Sequence, residues 1–122
     1  MPQNDFDLEV RPGSREGQTI IAPKGALVLE HIFRFQEAWR QAQKTSIVFD
    51  LSGVTYLDSS AIGSLVNAHV ACSNRGHRMA LAGVPQRVRQ MLAVTRVDAL
   101  FAFCPDLATA QDGVGGTAVS AQ

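Results

Sequence analysis

The sequence has no surplus of charge of either sign. Eleven lysines and arginines balance eleven aspartates and glutamates, for a formal net charge of zero. That excludes a general electrostatic attraction to nucleic acid or to an anionic membrane surface. Arg87, Arg89 and Arg96 form the one local group of basic residues worth asking about, and they read as the solvated face of a helix. Cysteine is scarce. Cys72 and Cys104 lie far apart and form no C-x-x-C, so they are expected to be small core residues in a reducing compartment; a disulfide between them is left open, since spacing does not show proximity. The three histidines, His31, His69 and His77, are scattered without metal-ligand spacing, and no metal or other cofactor is expected. No apolar run approaches the ~20 residues of a membrane span. The opening "MPQNDFDLEV" lacks a basic segment followed by an apolar one, so no signal peptide is read and the expected address is the cytoplasm.

What is present suits one globular domain. The 122 residues are 46% hydrophobic and only 18% charged, enough apolar material for a core over most of the length. "DFDLEV" alternates, with Asp5, Asp7 and Glu9 on one face and Phe6, Leu8 and Val10 on the other, as in a half-buried strand. "RPGSREGQ" is a turn, and "TIIA" is a second strand forming a hairpin with the first, ended by Pro23 and Gly25. From Leu29 the period becomes helical: Leu29, Ile32, Phe35, Trp39 and Ala42 make one apolar stripe. Phe33 beside them is expected to be exposed. "SIVFDL" is a nearly continuous apolar run, suited to a central strand covered on both faces. A second helix places Ile62, Leu65, Val66, His69, Val70 and Ser73 on its stripe and closes at "NRG", with Gly76 as the C-terminal cap.

"HRMALAG" then reads as a strand. "VPQRVRQMLAVT" is a helix with Pro85 near its first turn and Val88, Met91, Leu92 and Thr95 on one side. "ALFAF" is a short edge strand and "PDLATAQ" a last turn or two of helix. The predicted order is β-β-α-β-α-β-α-β-(α). It describes an α/β domain over residues 1–111, with a mixed, mostly parallel sheet of four to five strands and helices packed on it. Residues 112–122, "DGVGGTAVSAQ", are predicted to be a flexible tail. "GVGGTA" within it has no lysine and no following helix, and so is no phosphate loop.

The informative stretch is "FDLSGVTYLDSSAIGSLVNAH", Phe49 to His69. An apolar run stops at Asp58, Ser59 and Ser60 and resumes at helical spacing. Asp and Ser are good N-caps, because their oxygens accept from the free amides of a first helical turn. The same position has a second use. A helix start carries unpaired N–H groups and the positive end of the dipole, so a phosphate on a serine there is tolerated by the fold. A hydrolase reading is poorly supported. "LDSSAIG" lacks the first glycine of a nucleophile elbow, and His69 lies roughly 15 Å along the helix from Ser59 at 1.5 Å per residue.

"IVFDLSGVTYLDSSAIGSLVNA" resembles the signature of STAS domains of the bacterial anti-sigma factor antagonist type, and the likeness extends through "HRMALAGVPQRVRQML" to "TRVDALFAFCPDLATA". The resemblance implies a STAS-like fold and a protein-protein interaction switch with no catalysis of its own. It implies that Ser59 is the phosphorylated residue, with Ser60 the second choice, and that Asp58, Ser59, Ser60, Ala61, Ile62 and Gly63 belong to the partner-binding face. The implied partners are an anti-sigma factor with serine kinase activity, bound when Ser59 is unmodified and released on its phosphorylation, and a phosphatase that resets the switch. ATP and magnesium would belong to the kinase. Oligomeric state is left at monomer or weak dimer. Two features depart from the family pattern: Ala61 stands where a glycine often follows the serines, and "GALV" has Ala26 and Val28 where acids often stand. The alternative implied by the same resemblance is a non-switching STAS subunit of a signalling scaffold or of a lipid-transport complex.

Overall fold

The computed structural model describes residues 6–113. Asp5 lies outside them, as does the predicted tail beyond Gly113; the first two residues of that tail, Asp112 and Gly113, belong instead to the last helix. The elements run β1 (Asp7–Pro12), β2 (Gln18–Leu27), a 3-10 turn (Leu29–His31), α1 (Ile32–Gln41), β3 (Ser46–Asp50), β4 (Val54–Leu57), α2 (Ser59–Asn74), β5 (Met79–Ala82), α3 (Gln86–Val94), a second 3-10 turn (Asp98–Leu100), β6 (Ala102–Cys104) and α4 (Leu107–Gly113). The sheet order is β1-β2-β3-β5-β6, with β4 paired to β2. β1 is antiparallel to β2 and every other pairing is parallel. A mixed, mostly parallel α/β sheet is therefore present, with six strands rather than four or five.

β3 is the centre of the core. Ser46 to Phe49 are all buried, as the unbroken apolar run requires for a strand covered on both faces. Ile21, Leu27, Phe35, Trp39, Phe49, Leu65, Leu81, Val88 and Leu92 share one cluster on the side of α1, α2 and α3. Each such side chain contributes roughly 1.5–3 kcal/mol when fully buried. A smaller cluster of Ile20, Val48, Ala80, Ala82 and Ala110 lies apart from it, and it places α4 on the opposite face. The two faces separate the cysteines. Cys72 is buried in the main core, Cys104 is half-buried beside the small cluster, and both are free thiols.

Four expectations need correction. β2 does not stop at Pro23 but runs through it to Leu27. Pro23 falls after the last β2–β3 pair, Ile21 with Phe49, and before the first β2–β4 pair, Gly25 with Val54, so its missing N–H interrupts neither parallel ladder. Gly25 takes a φ of 98°, and the register shifts there as β2 changes neighbours. Val10 shares the inward face of β1 with Phe6 and Leu8 but is half-exposed. Leu29 precedes α1 on a 3-10 turn and is 62% exposed, so only Ile32, Phe35, Trp39 and Ala42 of the expected stripe are buried.

The fourth correction concerns α2. Its buried face is Ala61, Ser64, Leu65, Ala68 and Cys72, rotated from the expected stripe, on which Val70 and Ser73 prove exposed. These side chains are mostly small, and the partly buried Ile62 and Val66 pack against the core beside them. Trp39 of α1 donates from Nε1 to the buried Ser64 Oγ at 3.0 Å. That bond satisfies both polar atoms at the α1–α2 contact. Gly76 does close α2, at a φ of 74°. On α3 Val88 and Leu92 are buried and Met91 is half-buried, while Thr95 is exposed just past its end.

Candidate functional site: the shared exit of two strands

β4 brings the site together, and it is the element that the sequence pattern did not reveal. Val54 and Leu57 are buried while Thr55 and Tyr56 are exposed, so four residues carry too little alternation to announce a strand. It pairs in parallel with the far end of β2, and the pairing finishes at Leu27 with Leu57. The two chains then leave the sheet side by side. One enters the 3-10 turn at Leu29, and the other enters α2 at Ser59.

Asp58 sits between these exits and is bonded to both. Its Oδ1 accepts from the Ala61 amide at 3.0 Å and from Ser60 Oγ at 2.6 Å. Its Oδ2 accepts from the Leu29 amide at 2.9 Å. The backbone amide of Asp58 donates to the Leu27 carbonyl at 3.3 Å. Partial burial is the largest single influence on the carboxyl and pulls it toward protonation. The bonds from Ser60 Oγ and from the amides of Ala61, Leu29 and Ser60 outweigh burial together, so Asp58 sits below the ordinary aspartate range. It is ionised at neutral pH and holds the N-terminus of α2.

The two serines are not equivalent. Ser60 is half-buried and its hydroxyl is committed to Asp58. Ser59 is exposed, and among the described residues no hydrogen bond engages its hydroxyl. Gly63, one turn further on, is exposed, and a Cβ added there would meet nothing within 4 Å. Ile62 is half-buried against the core. Ala61 is fully buried, so its side chain cannot belong to an exposed binding face as expected; it serves through its amide, as the donor to Asp58. Across the exit stand Leu29, 62% exposed, and Phe33, 76% exposed. Phe33 was expected at the surface and Leu29 was not. Ala26 and Val28, the positions without acids, are half-buried at the end of β2.

Two of the histidines make ring contacts. His31 stacks on Phe6 with ring centroids 4.3 Å apart, and His69 meets Phe101 edge-on at 6.0 Å. His69 and His77 line a cavity of about 290 Å³ with Cys72, Arg78 and Leu100, around the C-terminal half of α2. Burial pushes the Cys72 thiol up to about 11, so it is not a thiolate nucleophile at neutral pH. Among the described residues no group of three or more His, Cys, Asp or Glu could hold a metal ion, and no helix is long and apolar enough to cross a membrane. Arg87, Arg89 and Arg96 are exposed, with Arg89 lying 3.9 Å over the Phe103 ring.

Solved structures share this architecture. An anti-sigma factor antagonist from Mycobacterium paratuberculosis superposes with a TM-score of 0.80 at 18% identity, over 93% of this chain and 97% of that one. The Bacillus cell fate determinant SpoIIAA in its phosphorylated form gives 0.67 at 16%, over 88% and 97%. The murine anion transporter Slc26a9 gives 0.68 at 13%, over 88% of this chain but only 22% of the transporter. At these identities the likeness is one of fold. No curated protein sequence matches the chain. The STAS domain family model matches residues 6–110, from ahead of β1 into α4. By that match, which takes in every strand and the Asp58 exit, the chain belongs to the STAS domain family.

Proposed function

We propose that this protein is an anti-sigma factor antagonist that works as a switch at Ser59. Unmodified, it binds an anti-sigma factor with serine kinase activity and so liberates a sigma factor. The kinase, holding ATP and magnesium, transfers the γ-phosphoryl group to Ser59 Oγ. The Oγ–P bond forms, the bond to ADP breaks, and the hydroxyl proton passes to a base on the kinase. The modified protein is released, and a phosphatase hydrolyses the phosphoserine to reset it. The chain acts by contact and contributes no catalysis.

The observation that supports this reading is the contrast between an exposed, unengaged Ser59 hydroxyl and a Ser60 hydroxyl bound to Asp58. A phosphate at Ser59 adds a charge of about −1.5 to −2. The fold tolerates it, because the amides and dipole at the start of α2 favour an anion by roughly 0.3–1 kcal/mol. A partner docked over Ser59, Ile62 and Gly63 meets the same charge as a repulsive, desolvated group. A loss of ~3–4 kcal/mol there weakens binding several hundredfold.

Phosphopeptide mass spectrometry on the protein from its native cells, growing and stressed, tests the modification. Occupancy on Ser59 that changes between conditions is expected. A well-covered peptide without phosphate in both conditions rejects the switch. Binding supplies the second test: Ser59→Asp should lose affinity for the anti-sigma factor while its thermal midpoint barely moves. Equal binding favours a constitutive STAS subunit of a scaffold or transport complex. That second reading draws support from the absence of acids at Ala26 and Val28 and from the transporter among the folds resembled.

A further inference from the structure

The Asp58 carboxylate divides its two oxygens between two elements. Oδ1 serves α2 through Ser60 Oγ and the Ala61 amide, in a half-buried position. Oδ2 serves the segment ahead of α1 through the Leu29 amide, in an exposed one. The start of that segment has no side-chain cap of its own; neither Val28 nor His31 supplies one. The apolar flank that begins at Leu29 and continues to Phe33 is thus joined to the serine loop through the bond from the Leu29 amide to Asp58 Oδ2.

We propose that Asp58 is a strut that carries the phosphorylation state of Ser59 to the Leu29–Phe33 flank, so that modification changes the shape of the binding face as well as its charge. The proposal rests on the Ser59 switch reading and specifies its regulation. A phosphate on Ser59 stands one residue from the Asp58 carboxylate and competes with it for the amides of the first turn. Two anions sharing those donors repel, and the carboxylate gives up its weakest hold. That hold is the solvent-exposed bond to Leu29, since the Oδ1 pair is shielded and doubly donated. The Leu29 amide is then released to water, and the 3-10 turn loses its bond to the serine loop while α2 keeps its cap.

The test uses the full chain with phosphoserine incorporated site-specifically at position 59, and reads amide hydrogen exchange and amide proton shifts by NMR. Exchange at Leu29 should quicken about tenfold, as expected for losing a hydrogen bond to a charged group. Exchange at Ala61 should stay within about twofold. Asp58→Asn in the unmodified chain should reproduce the pattern. The Asn carbonyl can still accept from Ala61 and Ser60, but its NH2 group confronts the Leu29 N–H with donor against donor, and Asn is itself a good N-cap. Unchanged exchange at Leu29 in the phosphoserine chain overturns the strut, and so does equal acceleration at Leu29 and Ala61. Affinity for the anti-sigma factor, measured on the same chain, separates the two ideas. Lost binding with an unchanged Leu29 amide sinks the strut and leaves the switch standing, whereas retained binding sinks the switch itself.

Discussion

At the end of β4 the chain enters α2 through Asp58, which caps the helix with its own side chain. At the end of β2, one strand away, it enters the 3-10 turn through Val28, whose side chain caps nothing, and the Leu29 amide donates to Asp58 instead. The exposed faces beyond these exits differ in the same sense. Past Asp58, positions one turn apart are Ser59 and Gly63, small and open. Past Val28 they are Leu29 and Phe33, large and apolar. One side of the surface is small and carries an unengaged hydroxyl, the other is bulky and apolar, and one carboxylate accepts hydrogen bonds from both exits. A surface of this kind needs few residues, because the parallel β2–β4 pairing has already placed both exits at one level.

Removing the shared group gives the largest expected effect. Asp58→Ala deletes the α2 cap and the Leu29 acceptor and strands the Ser60 hydroxyl. Cap loss alone costs about 0.5–2 kcal/mol, and hydrogen bonds to a charged group contribute about 1.5–3. A destabilisation of about 2–3 kcal/mol is expected, which lowers the thermal midpoint on the order of 10 °C. Circular dichroism melts would show it. A shift under a few degrees would mean that the exits are held by their β pairing rather than by the carboxylate.

Most of the scaffold around these exits is legible in the sequence. The buried run at β3, the stripe from Ile32 to Ala42 and the glycine that ends α2 each carry a local reason that the fold does not override. Asp58 and the serines are legible too, as a cap and as a family motif. What escaped is what depends on pairing. β4 is four residues with two of them exposed, and only its partnership with β2 makes it a strand. β2 itself looked finished at Pro23 because a proline ends most ladders, but this one falls between two partners. Leu29 looked like core by its spacing from Ile32, and the 3-10 turn moved it to the surface. The link from Asp58 to Leu29 follows from these three facts together, so no local pattern announces it. Ser64 left a weak signal, since a buried Trp39 needs an acceptor.

Ser60→Ala breaks the comparison more gently. It removes one hydroxyl from the half-buried side of Asp58 and leaves both amide bonds in place. A cost of about 1 kcal/mol is expected from chemical denaturation, with phosphorylation of Ser59 by the partner kinase intact. Loss of phosphorylation in this variant would transfer the acceptor role to Ser60. Gly63→Ala acts in the opposite direction. The position lies inside α2 with open space around it, so the added methyl meets no clash and removes the helix penalty of glycine, a gain of about 0.5–1 kcal/mol. If a partner approaches closely over the flat side, this more stable variant binds it more weakly.

The smallest effect is the titration of Asp58, and it isolates the carboxylate without deleting it. The folded carboxyl sits below its ordinary value of 3.8. The ionised form is therefore the one the fold prefers. Its contribution to stability is fully present above the unfolded value, and it is lost as pH falls through the lower, folded one. Asp58→Asn does not titrate at this position. The stability difference between wild type and Asp58→Asn should stay constant from neutral pH down to about 5 and shrink below 3.8. Asp106, which is also held below its ordinary value by the Thr109 amide, titrates in both proteins and cancels in the difference. Urea denaturation of the pair at several pH values gives the result directly. A difference that persists undiminished at pH 3 would mean that the strut works through shape alone, and that the charge of Asp58 contributes nothing to joining the two exits.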